Sequence, residues 1–163
     1  MATHRLTNEQ WGFTSNCFVC EPRNAAGLRI PFDHDDDAGV VRAAFTLDDR
    51  FSGAPNYVHG GVTLAVLDEA MAWATIAIGG KFAVTSQTAT TFTHAVKLGR
   101  TYTVEATVTS NDGSTMTTTA TVLDDRQRPC VTAAATFTVL GAAQAVDVLG
   151  VDDLGPDAGL VNG

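Results

Sequence analysis

Positive charge is scarce in this chain: ten Lys and Arg stand against 18 Asp and Glu in 163 residues, a net of −8. So few cations leave no basic footprint for a phosphate backbone, which excludes nucleic-acid binding as the main activity. Cysteine is nearly absent too. Three residues, an odd number, do not build a disulfide framework, and a reducing cytoplasm is the expected setting. There is no long uninterrupted apolar run. The most apolar stretch, residues 62–78, is 17 residues long and carries Asp68 and Glu69 near its middle, which argues against a membrane span. Residues 1–10 are polar and show no signal-peptide pattern. What the chain does have is 45% hydrophobic residues against 17% charged ones, over a length suited to one domain. That composition buries a core.

Patterning divides the chain into three parts. Residues 1–27 are a lead-in without sustained periodicity, with a short helix expected near residues 8–12. Residues 28–140 carry the domain. Strands are expected at residues 28–32 and 40–47, with turn chemistry between them at residues 33–39. A loop rich in Asp, Gly, Pro and Asn follows at residues 48–57. A long helix then opens at His59-Gly60-Gly61 and stops at Gly79-Gly80. Beyond it, Tyr102, Val104, Ala106 and Val108 alternate with polar residues. So do Met116, Thr118, Ala120 and Val122, and then Val131, Ala133, Ala135, Phe137 and Val139. This period of two, with its many threonines, predicts an antiparallel sheet with one wet face. Residues 141–163 hold four Asp and no Lys or Arg, and are expected to be a poorly packed acidic tail. One long helix against about six strands is an α+β layer architecture.

The helix carries the chemistry. Its apolar residues point in nearly every direction, which predicts burial by its own sheet and by a second chain. Asp68 shares a direction with Gly61, Ala65, Ala72 and Thr75, a face of small residues with room for a ligand. Glu69 points about 100° away, beside Trp73 and Ile76, and is expected to pair at a solvated helix edge. Free N–H groups at the Gly60-Gly61 end would favour an anion or a developing oxyanion. A polarising amide and a carboxylate on one element are parts for acyl transfer.

These residues resemble the hotdog-fold, PaaI-like acyl-CoA thioesterases. The resemblance rests on His59-Gly60-Gly61, five residues, then Leu67-Asp68-Glu69-Ala70. It extends to Gly53-Ala54-Pro55, Phe92, Lys97-Leu98-Gly99 and the opening run from Cys17 to Leu28, and covers residues 17–140. It implies a hotdog fold and hydrolysis of an acyl-CoA to free acid and CoA. It further implies that the Gly60 N–H polarises the thioester carbonyl and that Asp68 is nucleophile or general base. Thr85, or Ser86 one residue on, would orient water. His59, Gly61, Asn56 and His94 would line the substrate site. The family works as dimers or dimers of dimers, with each site shared across the dimer interface. The chain departs from the family at Gly53, where some members carry Asn, and at His94-Ala95, where Arg-Pro is usual. The alternatives are a non-catalytic module of the same fold that binds acyl-CoA or an aromatic ligand, and a hydratase of that fold. A hydratase needs a His/Asp pair, and His59 has no obvious partner in the sequence.

No metal and no cofactor is expected. Cys17 and Cys20 form a single CxxC without a second pair, and read as packing residues ahead of a zinc or redox site. Asp33, Asp35, Asp36 and Asp37 lack the spacing of a calcium loop and read, with His34, as a solvated hairpin tip. Lys81, Lys97, Arg100, Arg126 and Arg128 are the few cations of the sheet half. Some should stand at the mouth of a cleft that takes a phosphate-bearing carrier.

Overall fold

The computed structural model describes residues 2–162. Seven strands form one antiparallel sheet: β1 (Thr3–Leu6), β2 (Phe32–Asp35), β3 (Val40–Thr46), β4 (Ala83–Phe92), β5 (Thr101–Asn111), β6 (Thr115–Leu123) and β7 (Pro129–Val139). Their order is β1-β2-β3-β5-β6-β7-β4. One long helix, α1 (Gly60–Ala77), packs against every strand from β2 to β7. A sheet curled around one central helix is the expected hotdog architecture.

The period-two reading of the last strands holds in detail. Tyr102, Val104, Ala106, Met116, Thr118, Ala120 and Val122 are buried, as are Val131, Ala133, Ala135, Phe137 and Val139. They meet Val66, Leu67, Ala70, Met71 and Ala74 of α1. The β5–β6 turn is built by Asn111, whose side chain accepts from the Gly113 N–H at 2.9 Å, and by Gly113 at φ +91°. Gly79 lets the end of α1 approach β6: a Cβ there would stand 2.4 Å from the Met116 sulfur and 2.7 Å from the Thr75 carbonyl oxygen.

Three expectations need correction. The lead-in contributes a strand, because β1 pairs with β2; its 3-10 turn (Asn8–Trp11) lays Trp11 on Trp73 with ring centroids 5.7 Å apart. The second strand lies at Phe32–Asp35, so Asp33, His34 and Asp35 are strand residues rather than a turn. Cross-strand cations make this acid-rich strand tenable: Arg5 bonds Asp33 at 2.6 Å, and Arg42 stands 3.5 Å from Asp35. The acidic C-terminal segment also packs. It forms α2 (Ala142–Leu149) and a 3-10 turn (Gly155–Leu160), and Ala145 and Val161 close a small core over Phe82 and Leu140. Lys81 ties it down by donating to the Gly159 and Val161 carbonyls.

Among the described residues, no helix is long and apolar enough to cross a membrane. α1 is not enclosed all round by its own chain. Gly61 is exposed, and Ala65, Asp68, Ala72 and Ile76 are only partly covered. β4 ends the sheet, hydrogen-bonded to β7 alone, and exposes Val84 and Phe92.

Candidate active site

Residues 52–59 enter α1 through a tight loop. Gly53 and Tyr57 bond through their backbones, and a Cβ at Gly53 would press on the His59 Cα at 3.0 Å. His59 is the N-cap, with an extended backbone (φ −55°, ψ 133°), and its Nδ1 accepts from the Gly61 N–H at 2.9 Å. A Cβ at Gly61 would stand 3.1 Å from that nitrogen, so a larger residue there would press on the capping ring. Cap and glycine thus satisfy one of the orphan amides of the first turn.

The Gly60 N–H differs. Among the described residues it has no hydrogen-bond acceptor. A Cβ at Gly60 would make only ordinary contact, 3.8 Å, with the exposed ring of Phe92. The fold therefore does not require a glycine here, and the amide is left open beside an aromatic wall.

Two turns further on, Asp68 lies half-buried on the partly covered stripe. Its Oδ1 accepts from the Thr85 Oγ1 at 2.7 Å. The β4–β7 register explains why Thr85 faces the helix. Thr85 stands opposite Phe137, whose ring is buried, so the two share the inner face. The next pair is Gln87 with Thr136, which makes Ser86 the extra residue of a β-bulge. Ser86 donates its hydroxyl to the Thr136 carbonyl at 2.9 Å. Of the two hydroxyls that the sequence leaves open, Thr85 is the one on Asp68.

Asn56 and His94 are less engaged. Asn56 is exposed, and its backbone carbonyl accepts from the Leu98 N–H. His94 is exposed just beyond β4, with its N–H on the Cys130 carbonyl. Among the described residues, no carboxylate hydrogen-bonds His59, so the His/Asp pair of a hydratase is not assembled around it.

Four of the five noted cations gather. An open cavity of about 570 Å³ is lined by Lys97, Arg100, Arg126 and Arg128, with Tyr102 at its wall. Arg128 is partly spent on Asp124 at 3.0 Å. Tyr57 bridges to Lys97, so this cavity adjoins the loop leading to His59.

Glu69 does not sit at a solvated helix edge. It is partly buried, and its Oε1 accepts from the Cys17 thiol at 3.3 Å, a contact across 52 residues. Burial first, then the nearby Cys17, pushes its carboxyl up to about 8. The neighbouring Cys20 thiol holds Cys17 below the ordinary thiol range, and Cys20 is pushed up in return. Single-residue reasoning missed this grouping because nothing in a CxxC tells which distant carboxylate will cover it.

Residues 55–131 match the family model of the thioesterase superfamily. A crystal structure of a thioesterase superfamily protein is similar at 30% identity and a TM-score of 0.68, covering 74% of this chain. The chain spans about three fifths of that protein's length, 61%. The E. coli PaaI protein from the phenylacetic acid degradation operon is similar at 21% identity and TM-score 0.62, over 70% of this chain and 81% of that one. A Streptococcus mutans protein bound to acetyl CoA is similar at 23% identity and TM-score 0.60, over 63% of this chain and 82% of that one. A search of curated protein sequences finds no match.

Proposed function

We propose that this chain, whose residues 55–131 match the thioesterase superfamily, is a member of that superfamily and hydrolyses an acyl-CoA to the free acid and CoA. The observation that carries the reading is the Asp68 carboxylate. It is held by the Thr85 hydroxyl on an open face of the same helix that begins with an unused Gly60 N–H.

The parts act as follows. The Gly60 N–H, at the positive end of α1, donates to the thioester oxygen and stabilises the charge that develops on it. Asp68 supplies the attack on the carbonyl carbon, either by taking a proton from the attacking water or directly, in which case water then opens the mixed anhydride on Asp68 to release the acid. Thr85 fixes Oδ1 and leaves Oδ2 free for that work. CoA leaves as a stable thiolate. The cations around Lys97, Arg100 and Arg126 suit the phosphates of the carrier. The acetyl CoA bound by the structurally similar S. mutans protein fits this choice of substrate.

One chain cannot complete the reaction alone. Gly60 and Asp68 are eight residues apart on one helix, or ~12 Å along its axis. A single thioester must touch both within about 3 Å. Two copies placed about a two-fold axis, their α1 helices side by side and antiparallel, bring the Gly60 of one to the Asp68 of the other. The Gly61, Ala65, Ala72 stripe lets the helices approach closely. The unpaired edge of β4, with Val84 and Phe92 exposed, supplies the rest of such an interface. The assembly is then a homodimer, or a dimer of dimers.

The test is release of free CoA thiol over a panel of acyl-CoA chain lengths, followed beside the absorbance of an enoyl-CoA. Thiol release by the chain, lost in Asp68→Asn, is expected. No release over the whole panel, with acyl-CoA still bound, would replace catalysis by a binding module.

A further inference from the structure

Outside the Asp68 site, one group of side chains has the makings of a second. The Sγ atoms of Cys17 and Cys20 and a carboxylate oxygen of Glu69 all lie within 4.8 Å of one another, on partly buried residues. The two cysteines sit in a turn closed by the Glu21 N–H on the Cys17 carbonyl at 3.2 Å. Within it the Val19 N–H donates to Cys17 Sγ at 3.4 Å. An amide aimed at a sulfur favours its thiolate, the form that ligates metal. The turn is pinned from behind by Leu28 on Phe18 and Ile30 on Val19 through backbone bonds, so its geometry does not depend on the thiols.

We propose that Cys17, Cys20 and Glu69 form a divalent-metal site of the zinc class, with two thiolates and one carboxylate as ligands and the fourth position open to water. The donor set is that of a borderline-soft cation: thiolate with carboxylate suits zinc and disfavours magnesium or calcium. The spacing fits. Zinc bonds of ~2.3 Å to sulfur and ~2.1 Å to oxygen put tetrahedral S and O ligands ~3.6 Å apart. The Cys17 sulfur and the Glu69 oxygen are already 3.3 Å apart. The fourth position has space. Cys20 lines a cavity of about 260 Å³, together with Glu21, Arg23 and Trp73, and the Trp73 indole N–H is buried without a hydrogen-bond partner. A Cys17–Cys20 disulfide accounts for less, because it would take from Glu69 the thiol that donates to it. A divalent cation instead offsets the repulsion of three acidic groups confined to a partly buried place. On binding, the metal replaces the thiol protons, and the carboxyl proton where one is held. They leave to solvent. The bound ion would clip the lead-in to α1 at the residue beside Asp68.

The test uses the full chain, reduced, stripped with a chelator and titrated with zinc against a chromophoric indicator. One zinc per chain is expected, with a rise in Tm on adding one equivalent. Cobalt in its place should give a thiolate-to-metal charge-transfer band in the near ultraviolet. Cys17→Ser/Cys20→Ser should lose the stoichiometric zinc and that band. Glu69→Gln keeps the shape and both thiolates. It should retain the band and bind zinc at least ~10-fold more weakly. If the double cysteine variant does not fold, wild type and Glu69→Gln decide the matter by themselves. Failure of the reduced wild type to take up stoichiometric zinc overturns the proposal. So does uptake that survives loss of both cysteines, a cobalt spectrum without a thiolate band, or equal affinity in Glu69→Gln.

Discussion

The Thr85 hydroxyl donates to Asp68 Oδ1 at 2.7 Å, joining the bulged edge strand to the middle of the central helix. The pair divides labour within one carboxylate: one oxygen is fixed and the other is available. Asp68→Asn keeps the shape and removes the charge, and its turnover of acyl-CoA should fall by ~10²–10⁴. Thr85→Val removes the hydroxyl and leaves the carboxylate, so its loss should be smaller, ~10-fold or more. The double variant should be no worse than Asp68→Asn alone, because the hydroxyl acts through Asp68. Steady-state kinetics on the three variants check this. Additive losses would mean that Thr85 works on its own.

Gly60→Pro tests the amide without disturbing the helix. Gly60 is the first helical residue, where proline is favoured. His59 before it already has the extended backbone that proline demands (φ −55°, ψ 133°). The Gly60 N–H bonds nothing within the described chain. Folding should therefore survive, with Tm unchanged or raised. Loss of the one N–H should lower kcat/KM by ~10²–10³ if it polarises the carbonyl. A fully active proline variant would show that the oxyanion sits elsewhere.

The β5–β6 hairpin carries a pH signature. Asp112 accepts from the backbone amides of Thr115 and Ser114 and from both their hydroxyls, which holds its carboxyl at about 2. A folded-state value below the ordinary 3.8 means that the contribution to stability is complete above about pH 4. It is lost as pH falls toward 2. The Tm difference between wild type and Asp112→Ala should be constant from neutral pH to about 5 and close below that. Thermal melts through this range give the measurement, and a gap that widens in acid would contradict it.

What was legible in the sequence follows from periodicity. The helix and the last three strands each repeat their own pattern over nine or more residues, so local chemistry and burial agree. The sequence pattern ends the first domain strand at residue 32 because Asp33 and Asp35 read as turn residues, and the cations that neutralise them come from other strands. The bulge at Ser86 shifts the alternation by one, which no period-two count resolves; only the pairing with Phe137 and Thr136 separates Thr85 from Ser86. Glu69 was misplaced for a third reason. A helical wheel gives its direction, but the thiols that cover it arrive from the lead-in, 52 residues back.

Mixed dimers give the sharpest test of the shared site. In a heterodimer of one Asp68→Asn chain and one Gly60→Pro chain, composite geometry leaves one site intact. That site takes its Gly60 N–H from the Asp68→Asn chain and its carboxylate from the Gly60→Pro chain. The other site loses both groups. Each homodimer has two damaged sites and is nearly inactive. Equal amounts of the two variants, unfolded and refolded together, assort into heterodimers in half of the pairs. With one good site in each of these, the mixture should recover roughly a quarter of wild-type turnover. If Gly60 and Asp68 served one thioester within the same chain, every site in the mixture would be damaged and no activity would return. Sedimentation of the refolded mixture should show dimers or larger. Activity that returns in a monomeric fraction would refute the interface as well as the sharing.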